Sequence, residues 1–138
     1  MLRLLGSDDK SALRDRVSVA REFATSRNLI LVLKGSRTLI AAPDGRVFVN
    51  PTGNAGLGTG GAGDTLTGVI TGFLAQAYGS LKENADALSA TRAAVFVSSL
   101  AGDIAARKLG MRGMVASDVR EHLPQAIRSL DPEGEAPK

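Results

Sequence analysis

A glycine-rich segment of this chain, Gly58-Thr59-Gly60-Gly61-Ala62-Gly63, holds the residue types and spacing most suited to chemistry. Glycines let the backbone turn so that successive N–H groups converge on one point, and a helix beginning there adds the positive end of its dipole. The segment therefore predicts an anion site for a phosphate group, formed by Gly60, Gly61, Ala62 and Gly63. The alternative is a turn that only lets a helix and a strand pack closely.

Asp64 follows this segment in the first turn of the expected helix. A carboxylate beside a phosphate is repelled by it, and the arrangement makes sense if Asp64 takes a proton from a hydroxyl that attacks the phosphorus. The alternative is a carboxylate that only stabilises the helix dipole. No Lys-Ser/Thr pair follows the glycines, so the segment is not a Walker motif, and it does not fit the fingerprint of a dinucleotide-binding loop either.

A second polar segment, Lys34-Gly35-Ser36-Arg37-Thr38, follows the apolar run Leu29–Leu33. Ligands of open α/β sheets bind where strands end. Lys34 could meet a phosphate, and Ser36 and Thr38 could bond a nucleotide. The alternative is a polar connection between a strand and a hairpin.

The first half of the chain predicts one helix and three strands. Leu29–Leu33 is a continuous β-prone run, typical of a strand covered on both faces. The elements are a helix over 8–27 capped by Ser7 or Asp8, this strand, and a hairpin of 38–41 and 46–49 joined by Pro43-Asp44-Gly45.

The second half predicts helices only. The expected elements are a helix from about Ala62 that ends at Gly79, a long helix capped by Ser80 and Glu83 that runs to Leu109 and is buried around its uncharged middle (93–102), and a helix over 117–130. The order α–β–β–β–loop–α–α–α indicates an α/β fold. Three strands are few for such a sheet, so we expect that part of the fold precedes residue 1.

Composition limits the possible functions. The 138 residues suit one domain, here 1–131 with a tail over 132–138. A net charge of +3, no long basic run and few aromatic residues argue against nucleic acid. No apolar run is long enough to span a membrane. The chain has no cysteine, which excludes disulfides and thiolate zinc sites and suits a cytoplasmic location. Its single histidine is His122.

Three motifs together resemble the ADP/ATP-dependent NAD(P)H-hydrate dehydratases of the ribokinase-like superfamily. They are Lys34-Gly35-x-x-Thr38, Asn50-Pro51-Thr52-Gly53-Asn54, and Thr59-Gly60-Gly61-Ala62-Gly63-Asp64-x-Leu66-Thr67-Gly68. Leu100-Ala101-Gly102-Asp103 and Ala116-Ser117-Asp118 resemble later helices of that family. The resemblance implies a ribokinase-like three-layer α/β fold, of which this chain is an incomplete C-terminal half.

The resemblance also implies a reaction. Family members use ADP or ATP to phosphorylate the hydroxyl of hydrated NADH or NADPH, and loss of phosphate regenerates the cofactor. By this analogy Asp64 is the base and a substrate contact, and Asn54 contacts the substrate. The nucleotide is held by the Lys34–Thr38 segment (Lys34, Gly35, Ser36, Arg37 and Thr38) and by Gly60, Gly61, Ala62 and Gly63. Mg²⁺ is expected with the nucleotide, and no metal ligand is assigned among these residues.

The chain also departs from the family pattern. The family's domain is about twice as long, and its His-Pro-Gly-Glu segment, which precedes the stretch that Met1–Gly6 resembles, is absent here. His122 lies in the last predicted helix, where we expect a surface residue that cannot replace that histidine. Ser98-Ser99 stands where the family often has His-Gly. We therefore expect the chain to need an N-terminal half or to form a homo-oligomer through the strand edge at Leu29–Leu33.

Two other functions remain open at this point. The chain could be a non-catalytic module that binds nucleotide or assembles with a separate first half. It could also be a sugar or vitamin kinase of the same superfamily, against which the Asn50–Asn54 segment argues, since that segment is not general to sugar kinases.

Overall fold

The computed structural model describes residues 1, 6 and 14–131. In chain order the elements are helix α1 (Arg16–Arg27), strands β1 (Leu31–Leu33), β2 (Leu39–Ala41) and β3 (Val47–Val49), and helices α2 (Ala62–Leu81), α3 (Ala87–Leu109) and α4 (Ala116–Arg128). Short 3-10 helices, Ala55–Gly58 and Lys82–Asn84, lie on either side of α2. The predicted order of helices and strands is confirmed. The chain divides into two compact units, Met1–Asn50 and Pro51–Lys138.

The first unit is an antiparallel sheet in the order β1-β2-β3, packed against α1. Its core joins Ala20 and Ala24 of α1 to Leu39 and Ala41 of β2. The predicted hairpin is confirmed: the Gly45 N–H donates to the carbonyl of Ala42 at 3.0 Å, and Gly45 has a φ of 88°. Glycine adopts this left-handed conformation without the steric cost of a side chain.

The predicted first strand is shorter and less buried than expected. It spans Leu31–Leu33 only, and all three residues are partly exposed, so the expectation of a strand buried on both faces is wrong. Leu31 and Leu33 pack towards the core under α1, and Val32 points to the opposite face because strand side chains alternate. Within the described residues β1 pairs with β2 alone, which makes it an edge strand.

The predicted start of the first helix is also wrong. Residues 14 and 15 are not helical, and α1 begins at Arg16. The Asp15 carboxylate accepts hydrogen bonds from the N–H groups of Val17 (3.1 Å) and Ser18 (3.0 Å), so it caps the helix there. An aspartate that bonds nearby backbone N–H groups stabilises a helix start in place of a continuous helix. Ser7, Asp8 and residues up to 13, where the predicted helix began, lie outside the described residues.

The second unit is built around α3, which packs against both α2 and α4. Its uncharged middle is buried as predicted, with Ala94, Val95 and Ala101 fully inaccessible. Ser98 and Ser99 are buried on the same helix. The core continues through Val97 and Ile104 of α3 to residues of α4 and of the connection before it, namely Met114, Val119 and Ala126.

The boundary between α2 and α3 differs from the prediction. Helix α2 continues past Gly79 to Leu81 and ends at Lys82, which has a φ of 49°. Ser80 lies inside α2, and α3 is capped by Asp86, whose carboxylate accepts from the Leu88 N–H (2.9 Å) and the Ser89 hydroxyl (2.6 Å). The predicted helix end at Gly79 and the predicted cap at Ser80 and Glu83 are therefore both wrong. Gly79 costs a helix about 1 kcal/mol relative to alanine but does not end it.

The last helix agrees with the prediction to within two residues. Helix α4 runs from Ala116 to Arg128, and the Asp118 carboxylate accepts from the Val115 N–H at 2.7 Å to close its first turn. The tail over 132–138 lies outside the described residues. Among the residues that are described, no helix combines the length and apolar character that a membrane crossing requires.

Candidate functional site

The glycine-rich segment forms a turn that leads directly into α2. Asn54 caps the 3-10 helix Ala55–Gly58, and Gly61 then takes the N-cap position of α2 with a φ of 81°. The Thr65 N–H donates to the carbonyl of Gly61 at 3.0 Å, which closes the first turn. A side chain at residue 61 would be strained by this φ and would lie 3.2 Å from the Cβ of Ala116. The predicted glycine turn at a helix start is confirmed.

The first turn of α2 is exposed at two residues, and the Ala62 N–H donates to the Thr59 carbonyl at 3.4 Å. Gly61 provides no side-chain cap, and Gly63 and Asp64 are exposed in the first turn. The N–H groups of a first turn have no acceptor within the helix, and here the helix is 20 residues long, so its positive end is well developed. This geometry has the form of an anion site, and the assignment of Gly60, Gly61, Ala62 and Gly63 to a phosphate remains a prediction. Of these four residues Ala62 alone is buried.

Asp64 lies at one end of a groove between α2 and α4 with a volume of about 540 Å³. Val69 and Phe73 of α2 and Leu123 of α4 make its walls largely apolar, and Arg120 supplies a cation. An apolar groove with a few polar groups is the usual form of a small-molecule site. Arg120 was not predicted from the sequence, because only the packing of α4 on α2 brings it to the groove that Asp64 lines.

The Lys34–Thr38 segment joins β1 to β2 and is shaped by Arg16. The Arg16 guanidinium donates to the carbonyl oxygens of Leu33 (3.2 Å), Lys34 (3.2 Å) and Ser36 (2.9 Å). Gly35 has a φ of 151° and Arg37 has a φ of 54°, so the segment is a tight connection with two left-handed residues. Arg16, which lies in the helix that precedes the strand, was not predicted from the sequence.

The structure places the predicted nucleotide contacts in both units. Lys34, Gly35, Ser36 and Arg37 are exposed in the first unit, where Thr38 is partly buried. Gly60 to Gly63, Asp64 and Asn54 belong to the second unit. In the second unit, Asn54, the glycine turn and Asp64 lie in one continuous stretch of the chain, residues 54–64.

Asn54 makes three hydrogen bonds with its side chain. Its Oδ1 accepts from the Gly56 N–H at 2.9 Å, and its Nδ2 donates to the Gly102 carbonyl (3.0 Å) and to Oδ1 of Asp103 (2.8 Å). Both amide hydrogens are therefore used inside the protein, and one lone pair of Oδ1 is left for a ligand. Its predicted contact with substrate remains a prediction, and its structural role is clear.

Metal-ligating side chains form no cluster that could hold an ion in the part of the chain that the structure describes. Residues 1, 6 and 14–131 contain no group of three His, Cys, Asp or Glu side chains that could hold an ion. His122, expected at the surface, is partly buried, and its Nδ1 lies 2.7 Å from the Asp118 carbonyl within α4.

Known proteins match this chain in sequence and in structure. A bifunctional NAD(P)H-hydrate repair enzyme of Moorella thermoacetica is 44% identical over 136 residues. An ADP-dependent (S)-NAD(P)H-hydrate dehydratase of Xanthomonas campestris is 36% identical over 127 residues. The crystal structure of the ADP/ATP-dependent NAD(P)H-hydrate dehydratase from Bacillus subtilis, co-crystallised with ATP/Mg²⁺ and soaked with CoA, superposes with a TM-score of 0.83 at 31% identity. These similarities confirm the ribokinase-like α/β fold.

The matches cover nearly all of this chain and a minor part of each relative. The Moorella protein is matched over 98% of the chain and 24% of its own length, and the Xanthomonas protein over 91% and 42%. For the Bacillus structure the shares are 94% and 46%. The chain thus spans less than half the length of these relatives. A family model described as NAD(P)H-hydrate dehydratase matches residues 1–125, and the chain belongs to that family.

Proposed function

We propose that this chain is the nucleotide-binding portion of an enzyme that uses ADP or ATP to return hydrated NADH or NADPH to the intact cofactor. The start of α2 carries the proposal: a glycine N-cap without a side chain, followed in the first turn by the exposed residues Gly63 and Asp64, of which Asp64 brings a carboxylate. Backbone N–H groups suit phosphate oxygens, and a carboxylate beside them suits proton removal.

The nucleotide is proposed to bind with its phosphates at Gly60 to Gly63. The N–H groups there neutralise phosphate charge without a side chain that would fill the space. The Lys34–Thr38 segment is the second proposed nucleotide contact. It offers the Lys34 ammonium and the Ser36 hydroxyl, both exposed, on a connection that Arg16 holds at three carbonyl oxygens.

Asp64 is proposed to act as the base. The hydroxyl oxygen of the hydrate attacks the terminal phosphorus, the bond from phosphorus to the bridging oxygen breaks, and the carboxylate takes the hydroxyl proton. The phosphorylated carbon then loses phosphate as its C–O bond breaks, and loss of a ring proton restores the double bond. Asp64 is exposed at the end of a groove that Arg120 also lines, so a substrate hydroxyl could reach it.

Mg²⁺ is proposed to arrive with the nucleotide. Among the residues that the structure describes no three acidic or histidine side chains are grouped, and Mg²⁺ commonly binds through substrate phosphates, water and one or two carboxylates. When bound, the ion would neutralise charge on the phosphate oxygens.

The substrate site is proposed to need more than this chain. The relatives named for the whole reaction are more than twice as long as the part that matches here. We propose that the remaining portion of their fold, or a second copy of this chain, completes the substrate contacts. Asn54 is proposed to contact the substrate through the remaining acceptor lone pair of its Oδ1.

The cellular location of the protein is proposed to be the cytoplasm.

A two-stage experiment tests the proposal. Calorimetry on residues 1–138 should show ADP and ATP binding that requires the glycine turn. A chimera in which this chain replaces the matching part of a longer family member should then convert hydrated NADH to NADH with ADP or ATP present. A folded chimera that binds nucleotide but phosphorylates only sugars would assign the chain to the kinases. If neither the 138-residue chain nor the chimera binds nucleotide, the alternative function as a non-catalytic assembly module is favoured.

A further inference from the structure

Two N–H donors from the Asn50–Asn54 segment converge on one carboxylate of α3. Oδ2 of Asp103 accepts from the Gly53 N–H at 2.8 Å, and its Oδ1 accepts from Nδ2 of Asn54 at 2.8 Å. Asp103 is partly buried, and the two partners lie about 50 positions earlier in the chain. Both oxygens of the carboxylate therefore hold this segment against α3.

Asn54 links the contact with Asp103 to the turn that follows it in the chain. While Nδ2 is held by Asp103, Oδ1 accepts from the Gly56 N–H at 2.9 Å and so sets the start of the 3-10 helix Ala55–Gly58. The two donors require an acceptor at both oxygens of residue 103. An amide at residue 103 would turn an N–H towards one of these donors, because it can accept at one end only.

Close packing reinforces this polar contact. A Cβ at Gly56 would lie 2.8 Å from the Met111 carbonyl, and a Cβ at Gly102 would lie 2.6 Å from Cδ2 of Leu57. The 3-10 helix therefore packs against α3 at Gly102 and against the connection after α3 at Met111. Beyond it, a Cβ at Gly58 or Gly60 would meet no atom within 4 Å, so the turn that follows is open on its outer side.

A glycine-rich turn of this kind is costly to order. Glycine loses more backbone entropy on folding than any other residue, so fixing a glycine-rich turn in one conformation is opposed by a large loss of entropy. The anchoring at Gly53 and Asn54 fixes the chain just before the turn, and Gly61 begins α2 just after it. The turn is thus held at both ends by contacts within the protein.

We infer that Asp103 is a positioning residue for the anion site. Through Gly53 and Asn54 it fixes the turn that presents the backbone N–H groups of Gly60, Gly61 and Gly63 to a phosphate, while the Ala62 N–H donates to the Thr59 carbonyl within the turn. This inference rests on the proposed function for the identity of the anion, and it deepens that proposal by assigning a residue to the preorganisation of the site.

The variant Asp103→Asn tests the inference in the full 138-residue chain. We expect ADP affinity to fall about tenfold, the size of one hydrogen bond to a charged group. Amide hydrogen exchange should become faster at Gly53, at Gly56 and across Gly60 to Gly63. The matched control is Asp86→Asn, which alters an aspartate cap at the other end of the same helix. It should leave ADP affinity and exchange in the turn unchanged.

A double-mutant cycle separates positioning from general stability. Asn54→Ala should weaken ADP binding, and Asn54→Ala combined with Asp103→Asn should be little worse than Asp103→Asn alone, because both act through the same contact. Additive losses would overturn the inference, as would Asp103→Asn with wild-type ADP affinity and wild-type exchange in the turn. If Asp103→Asn does not fold, Asn54→Ala decides by the same two measurements.

The outcome for the nucleotide can be distinguished from the outcome for Asp103. A wild-type chain that binds neither ADP nor ATP counts against the proposed function, and the exchange measurement then decides on Asp103 by itself. Faster exchange at Gly60 to Gly63 in Asp103→Asn supports the positioning role, and unchanged exchange overturns it.

Discussion

The guanidinium of Arg16 occupies the space in which a side chain at Gly35 would lie. A Cβ built on Gly35 would be 2.8 Å from Nη2 of Arg16, and Gly35 has a φ of 151°. Glycine at this position lets the arginine reach three carbonyl oxygens of the connection between β1 and β2. The conformation of a proposed nucleotide contact thus depends on a residue in α1.

Replacing Arg16 by lysine should loosen this connection. Lysine keeps the charge but loses the planar group that bonds several carbonyls at once. We expect the free energy of unfolding to fall by about 1 kcal/mol and amide exchange at Ser36 and Arg37 to become faster. The control is Arg21→Lys, since Arg21 donates to one carbonyl, that of Gly45 at 3.0 Å. Equal effects of the two variants on exchange at Ser36 would contradict the prediction.

Replacing Gly63 by valine should weaken nucleotide binding without unfolding the protein. Valine suits a helix better than glycine, so stability should not fall, but its side chain would crowd a phosphate at the first turn. We expect calorimetry to show ADP affinity reduced at least about tenfold. Gly79→Val is the matched control, because Gly79 is exposed in the same helix at the opposite end. Unchanged ADP affinity in folded Gly63→Val would remove the phosphate from this turn.

Replacing Asp64 by asparagine should abolish most of the reaction in the chimera while nucleotide still binds. Asparagine keeps the shape of the side chain but cannot accept the proton, and loss of a general base costs about 10²–10⁴-fold in rate. ADP affinity should stay the same or rise, because a negative charge beside the phosphates is removed. Glu83→Gln, an exposed acid just after α2, is the control. A rate near wild type would make Asp64 a helix-end charge only.

The carboxyl group of Asp15, which caps the start of α1, should titrate below the ordinary range of aspartate. Hydrogen bonds from the Ser18 backbone N–H and hydroxyl lower the pKa of Asp15 below its ordinary value of 3.8. A depressed pKa means that the cap contributes fully above pH 3.8 and is lost as the pH falls through the lower folded-state pKa. The Ser18 amide resonance should therefore shift with a midpoint below 3.8, and Asp15→Asn should remove this transition. A midpoint at or above 3.8 would contradict the capping role.

The edge of β1 should promote association of the chain. Unpaired backbone groups on an edge strand favour pairing with another strand. We expect sedimentation to show concentration-dependent association that Val32→Lys reduces, because a charge on an edge strand opposes such pairing. Val49→Lys on β3 is the control, since β3 is the other edge of the sheet. A strictly monomeric wild-type chain would contradict this prediction, and equal loss of association in both variants would assign no role to β1 in particular.

Local sequence determined the features that depend on neighbouring residues. The hairpin turn at Gly45 and the left-handed Gly61 at the start of α2 were predictable, because only glycine adopts such conformations without steric cost. The buried middle of α3 was predictable from its lack of charge. Helix boundaries were less so: α1 is capped by Asp15, inside the predicted helix, and α3 is capped by Asp86 in place of Ser80, because local propensity does not rank such candidates.

Tertiary structure decided which distant groups fix the candidate site. Asp103 meets Gly53 and Asn54 across about 50 positions, and Arg16 meets the connection before β2, although nothing in the spacing of these residues pairs them. Such contacts form because α3 and α1 pack against the segments concerned and bring a charged side chain to unpaired backbone groups. The sequence by itself predicted an anion site at Gly60 to Gly63, and the packing of α3 decided that Asp103 bonds Gly53 and Asn54, just before that turn.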